Sequence, residues 1–135
     1  MMDSRRKVEL DQLYEAVFIA AEQVYAALGR GLEPELYLQC LSHELTLMKV
    51  TVQRNIAVPV LYRDLRIDKG ALLPLVVNGL AVVNAHSEPT LTAAHDMAIQ
   101  AQLRVSGLPM GLLLGFGTPS IRGGMRRVMN PAPRV

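Results

Sequence analysis

Ala71-Leu72-Leu73-Pro74-Leu75-Val76-Val77-Asn78-Gly79-Leu80-Ala81-Val82-Val83 is the stretch that decides the fold. Asn-Gly between two apolar runs is the strongest short-range hairpin signal, because both residues accept the positive φ that a tight turn requires. The predicted arms, Ala71–Val77 and Leu80–Val83, are apolar at consecutive positions and do not alternate. Such arms belong inside a sheet covered on both sides. Gly70–Val83 is also the most apolar part of the chain, yet it is too short to span a bilayer and is interrupted by Pro74 and the turn. No membrane partner is expected.

Upstream, Val50–Tyr62 is rich in β-branched residues and interrupted by Pro59, which predicts an edge strand or a bulge. Arg63-Asp64 and Asp68-Lys69-Gly70 read as turns. Further upstream, Leu10, Leu13, Tyr14, Val17, Ala21, Val24 and Leu28 recur at helical spacing, with Phe18, Ile19 and Tyr25 widening the arc. Glu9, Asp11, Glu15 and Glu22 occupy the other face. Gly29 and Gly31 stop this helix, and Pro34 suits the first turn of a second one with Leu36, Tyr37, Cys40, Leu41 and Leu45 on its apolar face.

Downstream, Ser87-Glu88-Pro89 opens a third predicted helix with Leu91, Ala94, Ala98, Gln102 and Val105 in register, ended by Gly107. Met110–Phe116 is a last buried strand, and residues 117–135 read as an irregular basic tail. Strands alternating with helices predict a sheet with helices on both faces. One domain over residues 1–135 suffices: a chain of this length buries about 68% of its unfolded surface.

Half the residues are hydrophobic and 19% are charged, which excludes disorder. A lone cysteine, Cys40, and a polar opening segment without a signal-peptide core suit a reducing, cytoplasmic location. The net charge of +2 is unevenly placed. Asp96 is the last acidic residue, and beyond it come Arg104, Arg122, Arg126, Arg127 and Arg134. Such asymmetry points to a contact surface for an acidic partner, or to a solvated tail.

Recognisable catalytic patterns are few. No nucleophile elbow is present, the glycines at 115, 117, 123 and 124 are not followed by the lysine of a phosphate loop, and His43, His86 and His95 lack HExxH-type spacing. Of the three histidines, His86 and His95 are the pair that the hairpin and the third helix can bring together. No cofactor or metal is expected.

The landmarks Leu28-Gly29-Arg30-Gly31, Tyr37, His43-Glu44-Leu45, Val58-Pro59-Val60-Leu61-Tyr62, Leu75-Val76-Val77-Asn78-Gly79, His95 and Gly107-Leu108-Pro109-Met110-Gly111-Leu112-Leu113-Leu114-Gly115-Phe116-Gly117 resemble the GxxExxY proteins, a group within the PD-(D/E)XK nuclease superfamily. The resemblance implies a restriction-endonuclease-like core: a mixed sheet of about four strands flanked by helices, with two helices at the N-terminus. It also implies where a magnesium-dependent active site would sit. The group's helix glutamate falls on Pro34, its metal-binding aspartate on Pro74, its ExK pair on Asn84 and His86, and its glutamine on Ala98.

Magnesium needs hard oxygen ligands, mostly carboxylates. Proline and alanine offer none, and Asn84 and His86 together bring too little charge. Glu33 and Glu35 flank Pro34, but one residue along a helix re-aims a side chain by about 100°. Clustered carboxylates also repel one another by about 4 kcal/mol per pair at 4 Å and an effective dielectric near 20, so neutral replacements stabilise a fold released from catalysis. The reading that follows is a non-catalytic scaffold working as a binding or structural subunit. Its expected contact is the tail, with Ile121, Met125 and Met129 as apolar anchors and Arg122, Arg126 and Arg127 pairing with acids of a protein partner or a second copy. The acidic face of the first helix is one source of such acids. A non-cleaving nucleic-acid-binding protein and a residual metal nuclease are the alternatives.

Overall fold

The computed structural model describes residues 3–135. Helix α1 (Ser4–Leu28) begins earlier than its apolar stripe, because the Asp3 side chain accepts from the Arg6 amide at 2.8 Å and caps it. Helix α2 (Pro34–Leu47) starts on the expected proline. Strands β1 (Val52–Tyr62), β2 (Leu65–Val77) and β3 (Ala81–His86) follow, then α3 (Ala93–Ser106), β4 (Met110–Gly115), the short α4 (Ile121–Gly124) and β5 (Met125–Met129).

The strands form one five-stranded sheet in the order β1-β2-β3-β4-β5. Only β3 and β4 are parallel, joined by the α3 crossover, and the other neighbours are antiparallel. Asn78 and Gly79 both take positive φ, +52° and +63°, as a hairpin turn of this hand demands. Leu80 donates to the Val77 carbonyl and belongs to the loop, so the second arm starts one residue later than expected. The hairpin lies at the sheet's centre with both faces covered. Leu75, Val77, Ala81, Val83, Leu112 and Leu114 pack beneath α1 and α2. Leu73, Val76, Val82 and Leu113 pack beneath Ile99 and Leu103 of α3. Gly111 permits this last contact, since a Cβ there would sit 2.7 Å from Ile99.

Several expectations need correction. The sheet has five strands rather than four, because the segment read as an irregular tail supplies α4 and β5. Asp68-Lys69-Gly70 is not a turn: β2 runs straight through it. The edge strand β1 has its register shift between Val58 and Val60, beside Pro59, and a Cβ on Gly70 would come within 2.5 Å of Val60 at that shift. Gly70 is therefore a close-approach glycine. Helix α3 starts after Thr92 rather than at Ser87, and its buried residues are Ile99 and Leu103, with Ala94 and Ala98 exposed. The larger aliphatic side chains set the face, because each removes more apolar area from water than an alanine does. On α2 the buried face is Tyr37, Leu38, Leu41 and Leu45, so Leu38 is buried and Leu36, expected there, is exposed.

Candidate functional site

Tyr37 organises the entry to α2. Its hydroxyl donates to the Gly29 carbonyl at 2.6 Å and accepts from the Leu32 amide at 3.1 Å, closing the loop between α1 and α2. Its ring stacks on Phe116 with centroids 4.2 Å apart. Three sequence landmarks thus serve the core. Ser87 Oγ donates to the Leu32 carbonyl at 2.5 Å, tying the end of β3 to the same loop. Arg54 of β1 donates to the Pro74 carbonyl at 3.1 Å and pairs with Glu35 at 2.5 Å. These bonds link the start of α2 to β1 and β2 on one side and to the end of β3 on the other.

Four of the five positions implied by the resemblance lie on these linked segments. Pro34 is the first residue of α2, Pro74 is half-buried on β2, and Asn84 and His86 share one face of β3. The β2–β3 ladder holds only Val76 with Val82 and Val77 with Ala81, so the strands separate before Pro74 and Asn84 would meet. Asn84 lies in that opening, 5% exposed, and its Oδ1 has no hydrogen-bond partner. Ala98 sits apart, exposed on α3.

Glu35 does not restore a metal ligand. Its carboxylate is held by Arg54, whose hydrogen bond lowers its pKa below the ordinary 4.5. An ion pair neutralises the charge that a divalent cation would need.

At the end of β3 a second constellation appears, and sequence spacing gave no sign of Glu88's part in it. His86, Glu88 and His95 bring one ligand-type atom each to within 4.8 Å of one another. His95 Nε2 lies 3.1 Å and His86 Nδ1 3.9 Å from Glu88 Oε2, and the two imidazole centroids are 4.2 Å apart. The Thr92 amide donates to His95 Nδ1 at 2.9 Å, so in this arrangement His95 carries its proton on Nε2 and donates to Glu88. Burial, aided by the neighbouring His95 and opposed by Glu88, pushes the His86 pKa below its ordinary value.

The expected partner-binding residues are used within the chain. Ile121 and Met125 are buried in the core. Arg127 pairs with Asp11 of α1 at 2.6 Å, Arg126 with Asp96 of α3 at 2.7 Å, and Arg122 stacks over the Phe18 ring at 4.0 Å. Of the three apolar anchors only Met129 stays exposed, at 38%, and the three arginines also remain exposed at the surface. Adjacent positions on a strand point to opposite faces, so Arg126 and Arg127 diverge to the two sides of the sheet. With Arg134 donating to the Arg104 and Val105 carbonyls, no common basic groove forms from these residues. An open cleft of about 860 Å³ between the start of α1 and residues 129–135 is lined in part by Met129 and contains none of Pro34, Pro74, Asn84, His86, Glu88, His95 or Ala98. No helix among the described residues is long and apolar enough to cross a membrane.

A mixed sheet with a parallel centre, one helical layer on each face and strands that part beside the α2 entry defines a restriction-endonuclease-like fold. The family model for the PD-(D/E)XK nuclease superfamily matches residues 11–128, and the chain belongs to that superfamily. No match is found among curated proteins or solved structures.

Proposed function

We propose that this chain is a degenerate member of the GxxExxY group: a nuclease fold that does not cut and serves instead as a binding or structural subunit. The observation that carries this reading is the Arg54–Glu35 pair beside Pro34 and Pro74. Where a nuclease would gather unpaired carboxylates around magnesium, this chain has two prolines, an uncharged Asn84 and one carboxylate already matched by a guanidinium. Phosphodiester cleavage needs a cation to stabilise charge on the scissile phosphate, and nothing at these positions would hold a hard cation.

The contact expected of the tail has to move, since its arginines and apolar residues are engaged in the chain's own sheet and helices. The β1–β2 hairpin is the better surface. Tyr62 pairs with Leu65 and Val60 with Ile67, so these four side chains share one face of a two-stranded extension. Tyr62, Leu65 and Ile67 are 62%, 53% and 45% exposed. On the opposite face Arg66 and Asp68 pair with each other, and with Arg63, Asp64 and Lys69 the ribbon at residues 61–70 carries three bases and two acids, a net charge of only +1. A second copy of the chain, presenting the same apolar face, is the proposed occupant.

The non-catalytic reading is tested with purified protein, plasmid and single-stranded substrates, and magnesium or manganese. No cleavage above that of a mock preparation is expected. Cleavage that persists through purification, is abolished by chelator and is lost in a Glu35→Gln variant would overturn the reading.

A further inference from the structure

The end of β3, the loop after it and the first turn of α3 converge on three side chains of ligand type. We propose that His86, Glu88 and His95 form a binding site for a divalent d-block cation of the zinc class, with a coordination position left open.

Two imidazoles and one carboxylate are a donor set that suits zinc and its neighbours and is poor for magnesium or calcium. The set is partly assembled without an ion, since the three ligand atoms lie within 4.8 Å of one another. Around a tetrahedral zinc, with bonds of about 2.0–2.2 Å, ligand atoms sit roughly 3.3–3.5 Å apart. Side-chain rotations close the difference. Glu88 is the mobile member, with its side chain 56% exposed, whereas His86 and His95 are 19% and 16% exposed and held by strand and helix.

The protons can be arranged to suit. Burial disfavours the charged form of His86, and a metal ligand must be neutral. His95 presents Nε2 toward Glu88. If a cation takes Nε2, the ring proton moves to Nδ1, where the Thr92 hydroxyl 3.3 Å away can accept it. A hydrogen-bonded second nitrogen of this kind orients a metal-bound histidine. The Thr92 amide then loses its acceptor, so ion binding competes with the capping of α3. Three protein ligands leave a fourth position for water or for an anionic group of a partner. This inference shares His86 with the positions implied by the resemblance. It does not depend on whether the chain cuts nucleic acid, because Glu88 and His95 lie outside that set and Pro34 and Pro74 contribute nothing to it.

The test uses the full chain, stripped with chelator and titrated calorimetrically with Zn²⁺, with Co²⁺ absorption as the second readout. One ion per chain is expected, together with visible Co²⁺ bands of a four- or five-coordinate site. His86→Ala, His95→Ala and Glu88→Gln should each weaken Zn²⁺ binding by roughly tenfold or more, while His43→Ala, on the exposed face of α2, should leave it unchanged. Glu88→Gln alters only an exposed side chain and keeps the test sound should either alanine variant unfold. Binding that is absent in the native chain, or that survives in Glu88→Gln and both histidine variants, would overturn the site.

Discussion

Arg127 on β5 donates to Asp11 on α1 at 2.6 Å, across 116 residues of chain, with its guanidinium 4.3 Å from the centre of the Tyr14 ring. One residue earlier, Arg126 reaches the other side of the sheet and pairs with Asp96. A segment that looks like a solvated basic tail is thus clamped against both helical layers of its own chain. This relation changes what the C-terminal residues are for.

Removing residues 118–135 should therefore destroy the fold rather than release a partner. The truncation takes away β5, leaving β4 as a bare edge, and deletes the buried Ile121 and Met125. Loss of cooperative urea unfolding is expected. In the full chain, Ile121→Ala should cost about 2–5 kcal/mol, and Arg127→Ala should shift the midpoint much less, since its ion pair is exposed. A truncated chain that unfolds at the full-length midpoint would contradict this account.

The contrast between the central hairpin and this tail explains what the sequence makes legible. Asn78-Gly79 encodes its turn locally, and the apolar runs beside it are unambiguous. The strand Met125–Met129 has five residues, two of them arginines, and is a strand only because β4 lies beside it. Asp68-Lys69-Gly70 misleads in the same way: its composition is that of a turn, but pairing with β1 keeps it extended. The landmarks Gly29, Tyr37 and Phe116 were readable as a pattern, and their roles in loop closure and ring stacking emerge only in three dimensions. The same holds for His86, Glu88 and His95, which come from a strand end, a loop and a helix start, so no fixed spacing announces them.

Asn84→Leu should stabilise the protein. Its Oδ1 is buried without a partner, and an unmade hydrogen bond of this kind costs about 1–3 kcal/mol. Leucine has similar volume and ends that penalty in a neighbourhood lined by Val82 and Leu113. A gain of about 1 kcal/mol is expected from urea unfolding. A loss instead would mean that Asn84 has a polar role that the variant removes.

Stability should fall as pH drops from neutrality through the histidine range. The His86 pKa is lowered in the folded chain by burial and by His95, so the unfolded chain takes up the proton first. The contribution is intact above the ordinary value of 6.5 and is lost progressively as pH falls below it toward the folded value. Asp11 and Glu35, both lowered by arginine hydrogen bonds, add a second decline, which begins near their ordinary values of 3.8 and 4.5 and continues as pH falls through the folded values. Urea midpoints from pH 8 to pH 3 read both windows, and His86→Leu should flatten the upper one alone.

The β1–β2 hairpin supplies the last prediction. Residues 61–70 are exposed throughout, and a two-stranded ribbon is marginally stable in water without cover. Its apolar face of Val60, Tyr62, Leu65 and Ile67 gains by meeting another apolar surface, each fully buried side chain contributing roughly 1.5–3 kcal/mol. Pro59 and the bulge beside it interrupt the outer edge of β1, so addition of a further strand is disfavoured and face-to-face packing remains. Two copies related by a twofold axis would set Tyr62 and Ile67 of one against the same patch of the other, with Arg63, whose guanidinium lies 5.6 Å from the centre of the Tyr62 ring, flanking the contact. Light scattering on the full chain should then give the mass of a dimer, and Tyr62→Ser with Ile67→Ser should return it to a monomer with unchanged far-ultraviolet circular dichroism. Loss of two such anchors corresponds to at least about a hundredfold weaker association. A native chain that is monomeric at concentrations near 100 times those of an ordinary micromolar dimer would refute self-association through this face.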